Sequence, residues 1–511
     1  SNTSRCGLDS PCTTQQFHPS AGQSPWARER IVQQAPRREP HQFRNALATF
    51  AAGALVVTGL AGTAQAAPSS SVDLNVVLKG DITPARLAAL AKYGTVTSQL
   101  PEIDGLTLKT KEASVAAVRG LDFVAAANPD AKRVGKPVPA VQYDGDAALA
   151  TWDLDQIDVA KSGGGAGLGS REVDQTGAGV YVAVLDTGLL STWRAYFPEA
   201  SIATQYAKSF GGGGAQGTGA TSEQPNKWQT DQNSHGTHVT STILGYNFGG
   251  TRVMGVAPDA KVIPVKVLNN NGSGQSSMVA AGITYIGDLK ADALKDSPVV
   301  INMSLGGPEL DALEKAAIDY AIEQGVLIVA SAGNSGEAGM GYPGAYAPVI
   351  SVAASGWTGE WVDPDGAGSL TNRAWWYAGN PGEGADTIAA EAYITDFSSR
   401  QKEGQDLDVA APGSWVLGPY QTNGQLSYYY LGGTSMAAPH VTGAVALMLQ
   451  KDGGLSQAEA ETTLEDSAVK LDPGCRSVLP GPGATPANVC WGSDATGAGI
   501  LNVPAAIAAT P

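Results

Sequence analysis

Histidine is scarce in this chain, with five in 511 residues. His18 and His41 lie in an upstream segment, so only His235, His238 and His440 remain for chemistry in the rest. Cysteine is scarcer still, with four. They form two local pairs, Cys6 with Cys12 and Cys475 with Cys490, as expected of local disulfides in an oxidising compartment. The second pair has no histidine or further cysteine near it, which argues against zinc. Positive charge is also short: 32 Lys and Arg against 48 Asp and Glu leave a net charge of −16. That balance disfavours nucleic acid and anionic membranes as partners. The net charge is +3 over residues 1–66, +2 over 67–140 and −21 over 141–511. The acidity of the last part is read as a means of solubility. Past residue 66 no stretch is apolar and long enough to span a bilayer. The Asp186-Thr187-Gly188 triplet has no second copy, so two aspartates sharing a proton are not expected. His235 and His238 lack the glutamate of His-Glu-x-x-His and a third ligand, which disfavours a metal there.

The chain is rich in glycine, with 64, and so in turns and close-packed loops. The first methionine is Met254, so Ser1 is not read as a translation start, and residues 1 to about 36 receive little weight. Arg37, Arg38 and Arg44 precede an apolar, alanine-rich segment, Ala46 to Gly62, and Ala64-Gln65-Ala66 follows. A positive flank, a short apolar core and an A-x-A site predict a secretory signal peptide, cleaved on export. Residues 73–128 read as strand, helix, strand, strand, helix, strand, the order of a small ferredoxin-like α+β unit. Residues 129–150 are rich in Pro, Ala, Gly and Asp, and read as an exposed linker.

From about residue 150 continuous apolar runs alternate with helical patterns. The runs are Val180 to Leu185, part of Lys261 to Leu268, Val299 to Met303, Val326 to Ala330 and Val349 to Ala353. Runs without alternation suit parallel strands buried on both faces. Met278 to Leu289 and Asp311 to Gln324 read as helices between them, and Ser456 with Glu459 as a capping box. The pattern predicts a doubly wound α/β domain with its site beyond the carboxyl ends of the strands. Residues 211–219 and 357–384 read as surface insertions, the second a tryptophan-rich loop with a small core of its own.

The chemistry gathers around Leu431 to Gly443, LGGTSMAAPHVTG. Ser435 sits where a glycine-rich loop enters an apolar helix, with Pro439 expected near the first helical turn. A serine nucleophile needs a base, an orienting acid and an oxyanion site. His440 follows Ser435 on the same helix and points elsewhere. His235 opens a helix in SHGTHVT and is the preferred, more accessible base, whereas His238 reads as a packed helix residue. Asp186 closes the strand YVAVL, where an orienting carboxylate belongs. Asn334, in SAGNSG after another strand, and the Ser435 backbone N–H can donate to an oxyanion.

VAVLDTG, NSHGTHV, GVAPDAKVIPVKVLNNNGSG, VVINMSLGG, SAGNSG, GYPGAY and GGTSMAAPHVTG resemble, in order, the motifs of subtilisin-like serine proteases, the subtilases. The resemblance spans about residues 150–510 and ends in GAGILNVPAAI. It implies a subtilisin-like α/β fold, a doubly wound parallel sheet, preceded by a ferredoxin-like α+β propeptide that acts as chaperone and inhibitor. It implies catalysis by Asp186, His235 and Ser435, with Asn334 at the oxyanion. A substrate strand would lie between Gly272-Ser273-Gly274 and Ser304-Leu305-Gly306. Ala332, Gly333 and Gly341 would line the pocket for the acyl-side residue, P1, and leave room for a large apolar side chain. The family's calcium loop is replaced by GYNFGGTRVMGVAP, where Asn247 alone is kept as a plausible ligand, so calcium is expected elsewhere if at all. Chemistry itself requires no cofactor.

The expected organisation is a leader at 1–66, a propeptide at 67–140 and a peptidase domain at 141–511, with the junction between about Val134 and Ala150. The expected protein is a secreted, extracellular, self-processing serine endopeptidase, monomeric, with polypeptide substrates, its own propeptide as inhibitor, and no nucleic-acid or, after signal removal, membrane partner. Two rival readings fit less well. A non-catalytic binding module has no need of an intact Asp186, His235, Asn334 and Ser435. An α/β-hydrolase esterase expects Gly-x-Ser-x-Gly, with the histidine after the serine.

Overall fold

A computed structural model describes residues 70–511 apart from 136–137, 143–149, 162–168, 212–221, 363–374, 380 and 382–383. The proposed signal peptide and the Cys6–Cys12 pair lie outside the described residues, as does most of the glycine-rich insertion at 211–219. Cys475 and Cys490 are disulfide-bonded and stand opposite each other across a two-stranded hairpin, Gly474–Val478 with Ala487–Trp491. No helix among the described residues is long and apolar enough to cross a membrane.

The N-terminal unit runs β1 (Ser71–Leu78), α1 (Pro84–Leu90), β2 (Gly94–Leu100), β3 (Gly105–Lys111), α2 (Val115–Arg119) and β4 (Val124–Pro129). The antiparallel sheet has the order β2-β3-β1-β4, the ferredoxin-like arrangement expected. Thr83 caps α1, and Pro84 suits the first helical position, where no N–H is needed. Leu74, Val76, Leu78, Leu90, Leu106 and Leu108 form its core. Alternation puts Asn75 and Thr107 on the opposite face, and both are buried.

The segment read as an exposed linker is in part neither exposed nor a linker. It holds β5 (Lys132–Val134) and β6 (Val138–Gln142), both paired to the large domain, and Arg133 is completely buried. Strands this short carry no readable alternation. Their partners lie more than a hundred residues away in sequence, so composition alone suggested a loop.

The large domain is built on a mostly parallel sheet. Its central strands are β7 (Tyr181–Asp186), β8 (Lys208–Gly211), β9 (Lys261–Lys266), β11 (Val299–Met303), β12 (Val326–Ser331), β13 (Ile350–Trp357) and β15 (Val409–Pro412). The short strand β10 (Ser273–Gln275) lies outside it and pairs with β5, and β14 (Ala392–Ile394) closes the far edge antiparallel to β13. The order β8-β9-β7-β11-β12-β13 reverses direction about β7, which sets the carboxyl ends of β7, β11 and β12 beside one another. The strands are apolar on both faces because each face has its own core. Val182, Val184, Val300 and Val329 point to one, and Ala183, Leu185, Ile301 and Ile328 to the other. Each fully buried Val, Leu or Ile contributes about 1.5–3 kcal/mol of hydrophobic stabilisation.

The first face is covered by α3 (His235–Leu244) and α6 (Thr434–Lys451), the second by α4 (Ser276–Ala291) and α5 (Ala312–Glu323). Helix α7 (Gln457–Ser467) begins with the Ser456–Glu459 capping box. The antiparallel pair β16 (Val416–Thr422) and β17 (Gln425–Gly432) leads into α6, and β6 joins its free edge. The tryptophan-rich stretch differs from expectation: Trp375 and Trp376 are fully buried in the main core. Trp375 stacks on Tyr430 of β17 at 5.6 Å, and Trp361 packs edge-on against the same ring and against Trp415. The aromatic rings found a larger apolar surface in the strand before α6 than a loop could offer.

The N-terminal unit rests on the first turns of α4 and α5. Asp130 accepts from the Ser277 backbone N–H at 3.0 Å and the Ser277 hydroxyl at 2.6 Å. Asn128 accepts from the Ala312 N–H at 2.9 Å. Asn75 donates to Asp130, Ser276 and Asp311. These groups satisfy N–H donors that a helix start leaves open, so the unit completes two helices of the domain it covers.

Candidate active site

Asp186 ends β7 and His235 begins α3. The His235 Nδ1 lies 2.9 Å from each Asp186 carboxylate oxygen, and both side chains are fully buried. Nδ1 donates to the carboxylate, which fixes the tautomer and leaves Nε2 as the acceptor. Nε2 is buried and has no hydrogen-bond partner among the described residues. The expectation of an accessible histidine is therefore corrected. A Cβ added to Gly135 would lie 3.3 Å from His235 Cε1, because the chain leaving β5 covers the ring.

Ser435 is the second residue of α6, preceded by Gly433 at a φ of 154°. Its hydroxyl donates to the Ser304 carbonyl at 3.2 Å, so a side-chain rotation is needed before it donates to His235. Pro439 lies in the second turn of the helix, not the first as expected. It has no N–H to offer the carbonyl four residues back, which is that of Ser435. The Ser304 hydroxyl takes that place, donating to the Ser435 carbonyl at 2.8 Å. Asn302 donates to the same hydroxyl at 3.0 Å and accepts from Thr442 at 2.8 Å. The end of β11 and the start of α6 are thereby fastened together.

Asn334 follows β12. Its Oδ1 accepts from the Thr434 N–H at 2.9 Å and the Thr434 hydroxyl at 3.0 Å. With Oδ1 held, Nδ2 is the end that can donate to an oxyanion beside Ser435. The Thr434 hydroxyl also accepts from the Gly333 N–H at 3.1 Å.

The other histidines behave as read. His238 meets the Val416 carbonyl at 3.1 Å, and burial, aided by the neighbouring His235, pushes it down to about 3, so it stays neutral. His440 lies between the Met436 carbonyl at 2.8 Å and Asp153 at 2.9 Å, turned away from the nucleophile.

Two residues escaped the sequence reading. Asp231 accepts from the Asn233 N–H at 2.8 Å, the Ser234 N–H at 2.7 Å and the Thr187 hydroxyl at 2.8 Å. Thr187 in turn accepts from the Gly236 N–H at 2.9 Å. Burial pushes Asp231 up to about 6, opposed by the charge of Lys266. An aspartate two and three residues before backbone donors is an Asx-turn pattern, and that was the available signal. Thr434 could have been found only as the neighbour of the nucleophile.

The cleft residues come together as expected, with one exception. The Gly272 carbonyl accepts from the Gly135 N–H at 3.1 Å, and Ser273 and Gly274 pair with Val134 and Arg133. Gly306 exchanges two backbone hydrogen bonds with Val134, at 3.0 and 3.1 Å. A cavity of about 460 Å³ opens beside Ser435, lined by Leu305, Gly306, Gly333, Met340 and Gly341 among others. None of its described lining residues is charged. Ala332 does not line it; its side chain packs into a core behind, and Ser331 reaches the cavity instead.

Asn247 sits in a two-stranded hairpin, Tyr246–Phe248 with Thr251–Val253, and its Oδ1 accepts from the Gly250 N–H. Elsewhere, Asp406, Asp408 and Glu461 bring ligand oxygens within 4.8 Å of one another. Asp408 Oδ2 accepts from Ser351, whereas Oδ1 is buried without a partner among the described residues. Burial, with the charges of Glu461 and Asp406 adding, pushes Asp408 up to about 8. An all-oxygen, all-acidic donor set with an unused buried oxygen suits a hard cation such as calcium.

Comparison with known proteins agrees with this geometry. A model of the subtilase family matches residues 177–492. Subtilisin DY of Bacillus licheniformis is 36% identical over 299 residues, which are 58% of this chain and 85% of that protein. The alkaline protease of Alkalihalobacillus alcalophilus is 33% identical over 340 residues, 65% of this chain and 70% of its own. In solved structures, fervidolysin from Fervidobacterium pennivorans, a keratinolytic enzyme related to subtilisin, matches with a TM-score of 0.60 at 25% identity, over 88% of this chain and 62% of its own. An acid, a base and a serine converge at the strand ends of such a sheet because the chain belongs to the subtilase family and is a serine endopeptidase.

Proposed function

We propose that this protein is a secreted, self-processing endopeptidase whose N-terminal unit, residues 67 to about 140, is an inhibitory and chaperoning propeptide. The observation that carries this reading is the path of β5. Its backbone runs antiparallel to β10 and to Gly306, and Gly135 then lies against His235 and the Ser304 carbonyl. A peptide bound by strand addition would take that path, so the propeptide acts as an occupant of the cleft it blocks. The slight positive charge of residues 67–140 complements the −21 of the remainder. The leader at 1–66 provides export, and the mature enzyme acts as an extracellular monomer on polypeptides.

In this mechanism His235 Nε2 takes the Ser435 proton as Oγ attacks the peptide carbonyl. Asp186 holds the imidazole and stabilises the imidazolium. Asn334 Nδ2 and the Ser435 N–H receive the charge that develops on the carbonyl oxygen. The histidine returns its proton to the leaving amine. Water, deprotonated by the same nitrogen, then cleaves the acyl-enzyme. No cofactor is needed for these steps. The uncharged cavity beside Ser435 favours large apolar P1 residues. Asp406, Asp408 and Glu461 would hold a structural calcium that takes no part in the chemistry.

Expression of the full chain as wild type and as Ser435→Ala tests the central claim. The wild type should appear with a new N-terminus between about Val134 and Ala150 and should be labelled on Ser435 by a phosphonate or sulfonyl fluoride. The alanine form should stay joined to residues 67–140. An uncut wild type that takes no label on Ser435 would overturn the reading.

A further inference from the structure

One buried ion pair at the cleft has no part in the reaction. Arg133, in the middle of β5, reaches Glu314 on the first turn of α5. Nε lies 3.0 Å from each carboxylate oxygen, and Nη2 lies 2.5 Å from Oε2. Nη2 also donates to the Glu309 carbonyl at 3.1 Å. Neither side chain is exposed to solvent. The planar fork of a guanidinium matches this arrangement, whereas an ammonium offers only a point charge.

Glu314 has an ordinary explanation, which the geometry sets aside. It lies three residues after Asp311, the N-cap of α5, where a glutamate commonly turns back to the cap N–H. Here Asp311 caps the Leu313 and Glu314 N–H groups, and both oxygens of Glu314 face Arg133. Asp311 adds a second negative charge to the same neighbourhood. Once β5 leaves, Asp311 and Glu314 remain on the domain as an acidic recess at the edge of the cleft.

The register defines which substrate residue meets it. Gly135 already lies at His235, so in a substrate laid on this path the attacked carbonyl belongs to the next residue, P1. Arg133, paired with Gly274, is then P4. We propose that Glu314 selects arginine at P4 of polypeptide substrates, so that Arg133 of the propeptide is the first occupant of a subsite that the mature enzyme uses afterwards. A substrate with an apolar P4 residue would leave Glu314 buried without a counterion, which is what makes the site selective.

The proposal rests on the endopeptidase reading above, and the experiment separates the two. Mature wild-type enzyme is assayed with internally quenched peptides that share one apolar P1 residue and differ only at P4, carrying Arg, Lys or Leu. The expected order in kcat/KM is Arg above Lys above Leu, with at least tenfold between Arg and Leu. A Glu314→Leu enzyme should reverse the preference between Arg and Leu while cutting at the same bond. Brisk cleavage by the wild type with Arg no better than Leu would overturn the P4 assignment and leave the endopeptidase standing. Failure to cleave any peptide, with no serine label, would overturn the endopeptidase reading itself. Because the wild-type comparison needs no variant, a Glu314→Leu chain that fails to fold leaves the test intact.

Discussion

The two sides of the active site are built from different materials. On the proton-moving side, His235 is held by Asp186, and its loop by Asp231, so acidic side chains set the geometry. On the oxyanion side, Asn334, Thr434, Ser304, Asn302 and Thr442 hold one another through neutral amides and hydroxyls. The first side should respond to pH through Asp231, which burial pushes up to about 6, whereas the second is built of amides and hydroxyls that carry no charge. Sensitivity to conditions should therefore come from one half of the cleft, and pH-independent stabilisation of the transition state from the other.

Substitutions on each side test that division. The largest effect is expected from Asp186→Asn, which would favour the wrong imidazole tautomer. A loss of kcat of about 10⁴-fold is expected, read from peptide hydrolysis at saturating substrate. Next comes Asn334→Ala, expected to lower kcat about 10²–10³-fold with little change in KM. Its profile of kcat against pH should keep the shape of the wild type. A shifted acid limb in that variant would break the comparison, since the oxyanion side would then carry a titrating function.

Thr434→Val should cost less, about tenfold or below, because the threonine acts through the asparagine. In an Asn334→Ala background the same change should have almost no effect on kcat, the non-additivity expected of groups that act as a unit. Asp231→Asn is expected to be milder still in kcat, and its signature is a change in pH dependence. The folded-state value of Asp231, about 6, lies above the 3.8 of an unperturbed carboxyl. Its contribution to stability is therefore full below the unfolded value and lost as pH rises through about 6. The difference in Tm between pH 4 and pH 8 should shrink in the variant. Away from both sides, millimolar calcium should raise the Tm of the wild type by a few degrees and leave Asp408→Asn unmoved. An equal rise in both would remove Asp408 from the cation site.

Much of the α/β frame was readable before any coordinates. Apolar runs such as Val299 to Met303 announce strands buried on two faces, and Ser456 with Glu459 marks a helix start within one turn. Asp186, His235 and Ser435 could be named because each occurs in a short pattern whose chemistry depends on local position. What stayed hidden depends on partners distant in the chain. Arg133 meets Glu314 across 181 residues, and nothing in AKRVGK marks one basic residue as buried. Trp375 and Trp376 read as the small core of a surface insertion, because nothing local shows that the apolar area receiving them belongs to β17 and its neighbours. Pro439 falls one turn later than its sequence position suggests, because α6 already begins at Thr434, one residue before the nucleophile.

That proline bears on how the nucleophile keeps its aim. A helix with an unbroken ladder can be nudged along its axis without losing a bond. At Pro439 the ladder has a missing rung, and the carbonyl beneath it, that of Ser435, is claimed by the Ser304 hydroxyl, just past the end of β11. Sliding α6 against β11 would break that link, so the defect in the helix works as a detent. Giving residue 439 an N–H would introduce a rival donor for the same oxygen, and the serine would lose the reference point against which its reach toward His235 is set.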